Sequence, residues 1–260
     1  MVRLAAHEWP AARTDAGAPA PVVVLVHGIT GWWRTWWRVG PALAERGWRV
    51  VAVDLRGHGA SPAIDGAATA ESLADDLEAT IASLGLTAVH AFVAHSLGAA
   101  VVAELAHRRP DLAACVVLED PPGQTRADDH DFQAAIERET RDARRDPEAE
   151  VRRELAENPA WQPEDARQNV EGRALCDLTG ILASLRSNTG VRPTELAPLL
   201  RVPALYLVAG EGRSALGAKR DRLLASLPAN AEAVELESGH TIHRDLFDVY
   251  LAEVVRWLDR

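Results

Sequence analysis

At 260 residues the chain is long enough for one large α/β domain with an insertion, or for two small domains. Its composition, 47% hydrophobic and 25% charged, is that of an ordinary globular protein. A formal net charge of -10 without any long single-sign run excludes a nucleic-acid surface or a polyanion-binding tail as the natural reading.

Residues 1–10 lack the apolar core of a signal peptide and no stretch approaches the length of a membrane span, so a cytoplasmic protein without membrane contact is expected. Residues 21–26, PVVVLV, form a continuous apolar run suited to a buried parallel strand. A turn containing Gly28 and Gly31 follows, then four tryptophans, Trp32, Trp33, Trp36 and Trp37. Residues 41–46 read as a helix stopped by Gly47, and residues 48–53 as a second strand ending at Asp54. Residues 71–84 set Leu73, Leu77, Ile81 and Leu84 at helical spacing before Gly85. Residues 89–93, 115–118, 204–208 and 233–236 are further strands, and residues 99–103 open a helix of small residues that ends near Pro110. A final amphipathic helix carries Leu246, Tyr250, Val254, Trp257 and Leu258.

Residues 121–203 break the pattern. They are charged and segmented by prolines, with helices expected over 131–145 and 149–157 and no strand signal. The alternation elsewhere implies an α/β fold, a mostly parallel central sheet flanked by helices on both faces. The expected organisation is a core of residues 1–120 and 204–260, with a helical cap over 121–203. Cys115 and Cys176 have no metal-ligand spacing and fit buried, reduced thiols.

The chemistry concentrates at residues 94–98, Ala-His-Ser-Leu-Gly, between a buried strand and a helix. A serine on such a turn is a nucleophile elbow, G-x-S-x-G with its first glycine replaced by alanine. Its hydroxyl is pushed out at the carboxyl edge of the sheet, and the Leu97 N–H, opening the helix, points at a developing oxyanion. Gly28 allows the sharp turn that makes Ile29 N–H a second donor. A serine hydroxyl needs a base active near neutral pH, and His240, after Gly239, is the candidate, with His243 the alternative. His27, His58 and Asp54 suit loop fixing, and His95 suits pocket lining. Trp32 and Trp33 stand nearest the expected pocket mouth and, with Trp161 of the insertion, would bind a bulky apolar or aromatic group. The run at 128–131, Asp-Asp-His-Asp, suits a helix start better than a metal site, so neither metal nor cofactor is expected.

The ordered motifs, His27-Gly28, then Asp54 through Ser61 (DLRGHGAS), then the Ser96 elbow, then Ser238-Gly239-His240, resemble the α/β-hydrolase superfamily in its capped lineage. The resemblance implies that the cap is inserted after the sixth strand. It also implies a triad of Ser, acid and His in chain order. The family's acid most often follows the strand after the cap, where this chain has Glu211 and then Arg213, and an arginine cannot stabilise an imidazolium. Glu119 and Asp120 instead close the strand before the cap, the position used by certain dehalogenases and by zearalenone lactonases. Asp120 is the expected acid, with Glu119 and Glu211 as alternatives.

The implied activity is hydrolysis of a carboxylic ester or lactone of a bulky apolar substrate through an acyl-enzyme. Carbon–carbon bond hydrolysis of a β-diketone-like substrate, or a receptor-like protein with very slow turnover, are the alternatives. Epoxide opening and dehalogenation fit less well, since those relatives use an Asp nucleophile. The expected partner is a small molecule, and the chain is expected to act as a monomer or homodimer.

Overall fold

The computed structural model describes residues 1–12, 19–123, 127–187 and 192–260. The chain enters through β1 (Ala6–Trp9), β2 (Val22–Val26), α1 (Val39–Ala44) and β3 (Arg49–Val53), then α2 (Ala70–Ser83), β4 (Val89–His95), α3 (Leu97–Arg108) and β5 (Ala113–Glu119). Four helices follow, α4 (His130–Arg145), α5 (Pro147–Glu157), α6 (Pro163–Leu175) and α7 (Leu178–Ser187), then the short α8 (Pro193–Leu196). The chain returns through β6 (Ala204–Ala209), α9 (Arg220–Ala225), β7 (Ala231–Leu236), α10 (Ile242–Asp245) and α11 (Phe247–Leu258).

The strands make one sheet in the order β1-β3-β2-β4-β5-β6-β7, parallel throughout except for β1, which runs antiparallel to β3. Strands buried on both faces read as continuous apolar runs, and β2 is buried at all five positions. Alternate residues serve opposite layers. Val24, Val26, Phe92, Val116 and Tyr206 pack with Leu73, Leu77 and Ile81 of α2 and Val101 and Leu105 of α3. Val23, Leu25, Val93, Val117 and Leu207 pack with Leu43 of α1 and Tyr250, Val254 and Trp257 of α11.

β2 lies between β3 and β4, so the chain leaves it in opposite directions, and the crevice at the carboxyl ends of β2 and β4 is where such sheets bind ligands. The register carries the crevice along the edge: Val26 lies beside Ala94, His95 beside Glu119, and Glu119 beside Leu207. Three loops that hold candidate site residues therefore leave the sheet side by side.

The structure departs from the sequence expectations at three points. The helical insertion follows the fifth strand, not the sixth, because β1 is the only described strand that precedes β2. β1 itself was not expected, since its four residues, Ala6, His7, Glu8 and Trp9, alternate between exposed and half-buried and make no apolar run. The insertion also ends earlier than residue 203, because Leu196, Ala197, Leu200 and Val202 pack into the main core beside α3. Its helices start on local signals. Asp129 accepts the Phe132 amide at 3.0 Å, and Pro147 and Pro163 stand in the first turns of α5 and α6.

The free cysteines Cys115 and Cys176 are both buried. Among the described residues no helix is long and apolar enough to cross a membrane, and no group of three or more His, Cys, Asp or Glu is arranged to hold a metal ion.

Where α3 meets β2 there is room for glycine alone. A Cβ on Gly98 would lie 2.5 Å from the carbonyl oxygen of His27 and closer still to that of Val26. Gly98→Ala is therefore expected to destabilise the fold by about 1–3 kcal/mol, the usual range for overpacking. Urea unfolding measures it, and an unchanged midpoint would contradict this packing.

Candidate active site

Ser96 leaves β4 with φ 52° and ψ -117°, a conformation that a non-glycine residue adopts only where its surroundings hold it there. Its amide donates to Glu119 O at 2.9 Å, and its carbonyl accepts Ala100 N–H at 3.1 Å in α3. Backbone bonds on both sides thus fix the turn and leave the hydroxyl facing a cavity. Across that cavity the β2 loop is pressed close, since a Cβ on Gly28 would lie 2.8 Å from His95 Nδ1 and 3.1 Å from the Ser96 Cβ. Ile29 and Leu97 both line the space in front of Ser96.

A buried scaffold holds the Gly28 loop. His27 Nε2 accepts Leu55 N–H at 3.0 Å while its Nδ1 donates to Gly28 O at 2.7 Å. His58 Nε2 accepts Thr30 N–H at 3.2 Å while its Nδ1 donates to Arg56 O at 3.0 Å. Asp54 accepts Trp33 N–H at 2.6 Å and Ala60 N–H at 2.8 Å. The three residues expected to fix loops are thus used in backbone hydrogen bonds.

Asp120, at φ 39°, has no solvent exposure. Its Oδ1 accepts the Ser214 hydroxyl at 2.5 Å and Ala209 N–H at 3.2 Å, and its Oδ2 accepts Ala215 N–H at 2.8 Å. The fourth donor is His240 Nδ1, 2.6 Å from Oδ2. Nδ1 bound to a carboxylate leaves Nε2 as the nitrogen free to take a proton, and the ring lines the same cavities as Ser96.

The two alternative acids are placed elsewhere. Glu119 faces the other side of the strand end, where it accepts His243 N–H at 2.9 Å and His243 Nδ1 at 2.8 Å. That pairing also occupies His243, the alternative base, in a buried contact with Trp36 and Tyr250. Glu211 is exposed on the loop after β6, and Arg213 beside it pairs with Glu237 at 3.3 Å. Ser214 was not foreseen as a partner of Asp120, because a loop serine has no distinguishing pattern.

Two cavities meet at Ser96 and His240. The larger, about 360 Å³, is lined mainly by Ile29, Ile64, Leu73, Leu97, Phe132, Ile181 and Leu185. The smaller, about 210 Å³, is the more polar of the two: His95, Asn169, Arg173 and Arg244 line it beside Gly28, Phe132, Ile136 and Trp161. His95 is buried, and desolvation, with His240 and His243 nearby, pushes its pKa well below the usual value. Its Nε2 donates to His240 O at 3.1 Å.

The tryptophans divide differently from expectation. Trp161 borders the smaller cavity, but Trp32 and Trp33 border neither. Trp32 donates its indole N–H to Gln168 O at 3.1 Å, which seats α6 on the turn after β2. Trp33 stacks on His7 at 3.8 Å, away from Ser96. The Trp32 donor and the Trp33 face are engaged by the protein itself, so these two residues serve packing.

Residues 21–174 match the family model described as the alpha/beta hydrolase fold. A segment of 114 residues is 35% identical to the sn-1-specific diacylglycerol lipase ABHD11 of Mus musculus, covering 43% of this chain and 36% of that protein. A segment of 100 residues is 41% identical to epoxide hydrolase B of Mycobacterium tuberculosis, covering 37% of this chain and 28% of that protein. The match thus spans well under two thirds of either relative. Among solved structures, the enol-lactonase from Burkholderia xenovorans LB400 superposes with TM-score 0.77 at 22% identity over 99% of this chain and 96% of that one. A thermophilic esterase from Thermogutta terrifontis gives TM-score 0.75 at 23% identity over 98% and 93%. At these identities the structural likeness is one of fold.

The scaffold histidines generate a pH prediction. Each accepts an amide proton through Nε2, which only a neutral ring can do. Burial lowers His27 to about 4, and burial together with the nearby His27 lowers His58 to about 3. In the unfolded chain both titrate near about 6.5, so below that pH the unfolded state binds more protons. Their stabilisation is whole above about pH 6.5 and is lost as pH falls towards the folded values, by roughly 1.4 kcal/mol per pH unit for each ring. Thermal melts are expected to show Tm falling as pH drops below about 6.5. His58→Gln, whose amide can replace both hydrogen bonds without titrating, flattens the fall, and an equal slope in that variant would contradict the assignment.

Proposed function

The chain belongs to the alpha/beta hydrolase fold family, and within it we propose a serine hydrolase that cleaves a carboxylic ester or lactone of an apolar substrate. The observation that carries the proposal is the contact between buried Asp120 and half-exposed His240, 2.6 Å apart, beside an elbow serine that shares the cavity of His240. In this reading Ser96 Oγ attacks the substrate carbonyl as His240 Nε2 takes its proton. Asp120 holds the ring in the required tautomer and stabilises the imidazolium that forms. The amides of Leu97 and Ile29 donate to the oxyanion, an interaction worth about 3–4 kcal/mol per donor. His240 then protonates the leaving alcohol and activates the water that releases the acid.

The serine nucleophile favours acyl transfer over epoxide opening, which the named relative's chemistry would require of a carboxylate at the same elbow. The larger cavity supports an apolar substrate group. Its wall is predominantly aliphatic with one phenylalanine, and Arg56, His58, Ser184 and Arg213 add polar groups, so shape and hydrophobicity select the ligand more than aromatic stacking does. At about 360 Å³ it stands near the small end of ligand sites, which suits a medium-length chain or a single ring.

The reading is tested with a series of 4-nitrophenyl esters from acetate to octanoate. Activity is expected to rise from acetate to a medium chain length, to fall to background in Ser96→Ala, and to drop by about 10³–10⁴-fold in Asp120→Asn. Glu211→Gln should remain close to the parent. Retained turnover in Ser96→Ala, or a preference for acetate, would contradict the proposal.

A further inference from the structure

The smaller cavity beside Ser96 holds charge that the acyl-transfer chemistry does not use. Arg173 and Glu139 are on its wall, but they cancel: Arg173 pairs with Glu139 at 3.0 Å and also with Glu154. Arg244 is different. It is only 4% exposed, it borders the cavity, and its Nε and Nη1 have no hydrogen-bond partner. Among the described residues no carboxylate lies within ion-pair distance of it. The acids nearest to it are engaged elsewhere: Glu154 by Arg173, Glu119 by His243, and Asp165 by the Trp37 indole at 2.8 Å and Gln162 N–H at 2.9 Å. A buried guanidinium with unfilled donors is costly to folding.

The side chain is nevertheless held in place. Arg244 lies over the Trp161 ring at 4.6 Å, and the Trp161 indole donates to Asp245 at 2.7 Å. Asp245 in turn accepts Gly239 N–H at 2.7 Å, which ties this clamp to the loop that carries His240. Burial lowers the Arg244 pKa to about 10, so the group still carries its charge at neutral pH.

We propose that the smaller cavity is a carboxylate subsite: the substrate carries a free carboxylate that pairs with Arg244, while its apolar part fills the larger cavity across Ser96. The proposal rests on reading Ser96 as the nucleophile. A carboxylate fits better than a phosphate, because one buried cation with two unfilled donors matches one singly charged, two-oxygen group. At about 210 Å³ the cavity admits a short acid arm of a few carbons.

Two measurements test this. In the first, Ser96→Ala protein is titrated calorimetrically with monomethyl glutarate and with dimethyl glutarate. The monoanion is expected to bind about tenfold to a hundredfold more weakly once Arg244→Met is added, the range for charge-assisted hydrogen bonds, with no comparable change for the diester. In the second, kcat/KM is compared for mono-4-nitrophenyl glutarate and for 4-nitrophenyl pentanoate. The ratio of the two is expected to collapse by a similar factor in Arg244→Met and to recover in part in Arg244→Lys, which a purely structural loss would not produce. Monoanion binding and an ester ratio that are both indifferent to Arg244 would overturn the subsite and leave the hydrolase reading standing. Arg244-dependent binding without turnover of either ester would uphold the subsite and overturn the hydrolase reading.

Discussion

A carboxylate shut off from water must find its hydrogen bonds within the protein, and the candidate site depends on how Asp120 does so. Its four donors come from the end of β6, from the loop after β6 and from the His240 loop, so one side chain ties three segments to the end of β5. Glu119, one residue earlier, faces the opposite way and receives His243. A single dipeptide therefore anchors two histidines three residues apart, and the turn between them is held at both ends. Among the described residues the non-glycine positions with positive φ are Thr30, Ser96 and Asp120. All three stand where a strand hands its chain to the site, which is where backbone strain has a use.

Much of this was legible in the sequence because local rules and the fold agree. The β-branched runs became buried strands, and the spacing of Leu73, Leu77 and Ile81 became the buried face of α2. The elbow could be read because its strained turn demands small neighbours, and Gly98 meets two backbone carbonyls in the structure. Arg213 stands at the usual acid position of the resembled family, which points to Glu119 and Asp120 at the end of the strand before the insertion. Which of the two faces His240 is a matter of strand phase, which the residue types alone do not give.

What the sequence did not reveal depends on contacts between distant segments. The helix α6 has a charged sequence and few apolar positions, and is held through Trp32, Trp37 and Arg34, which reach Gln168, Asp165 and Glu164 from the far side of the chain. The same contacts explain why Trp32 borders neither cavity: its indole is committed to the insertion. β1 shows no apolar pattern because it pairs at the sheet edge and only half buries its side chains. Arg244 carries no distinguishing pattern in the sequence, and only the fold buries it beside the cavity that Ser96 lines.

The two cavities give the site a polarity that composition could not suggest. A mainly apolar chamber and a more polar one meet at the same serine, so the site is suited to orient an amphipathic ligand. Orientation matters for the proposed reaction, in which a carbonyl meets the Ser96 hydroxyl and the Leu97 and Ile29 amides together.

Covalent labelling with an alkyl fluorophosphonate, followed by mass mapping of the modified peptide, tests the central claim most directly. The account predicts a single adduct on Ser96 whose formation is abolished in His240→Ala and strongly slowed in Asp120→Asn. A chain that stays unlabelled, or an adduct on another side chain, would contradict it.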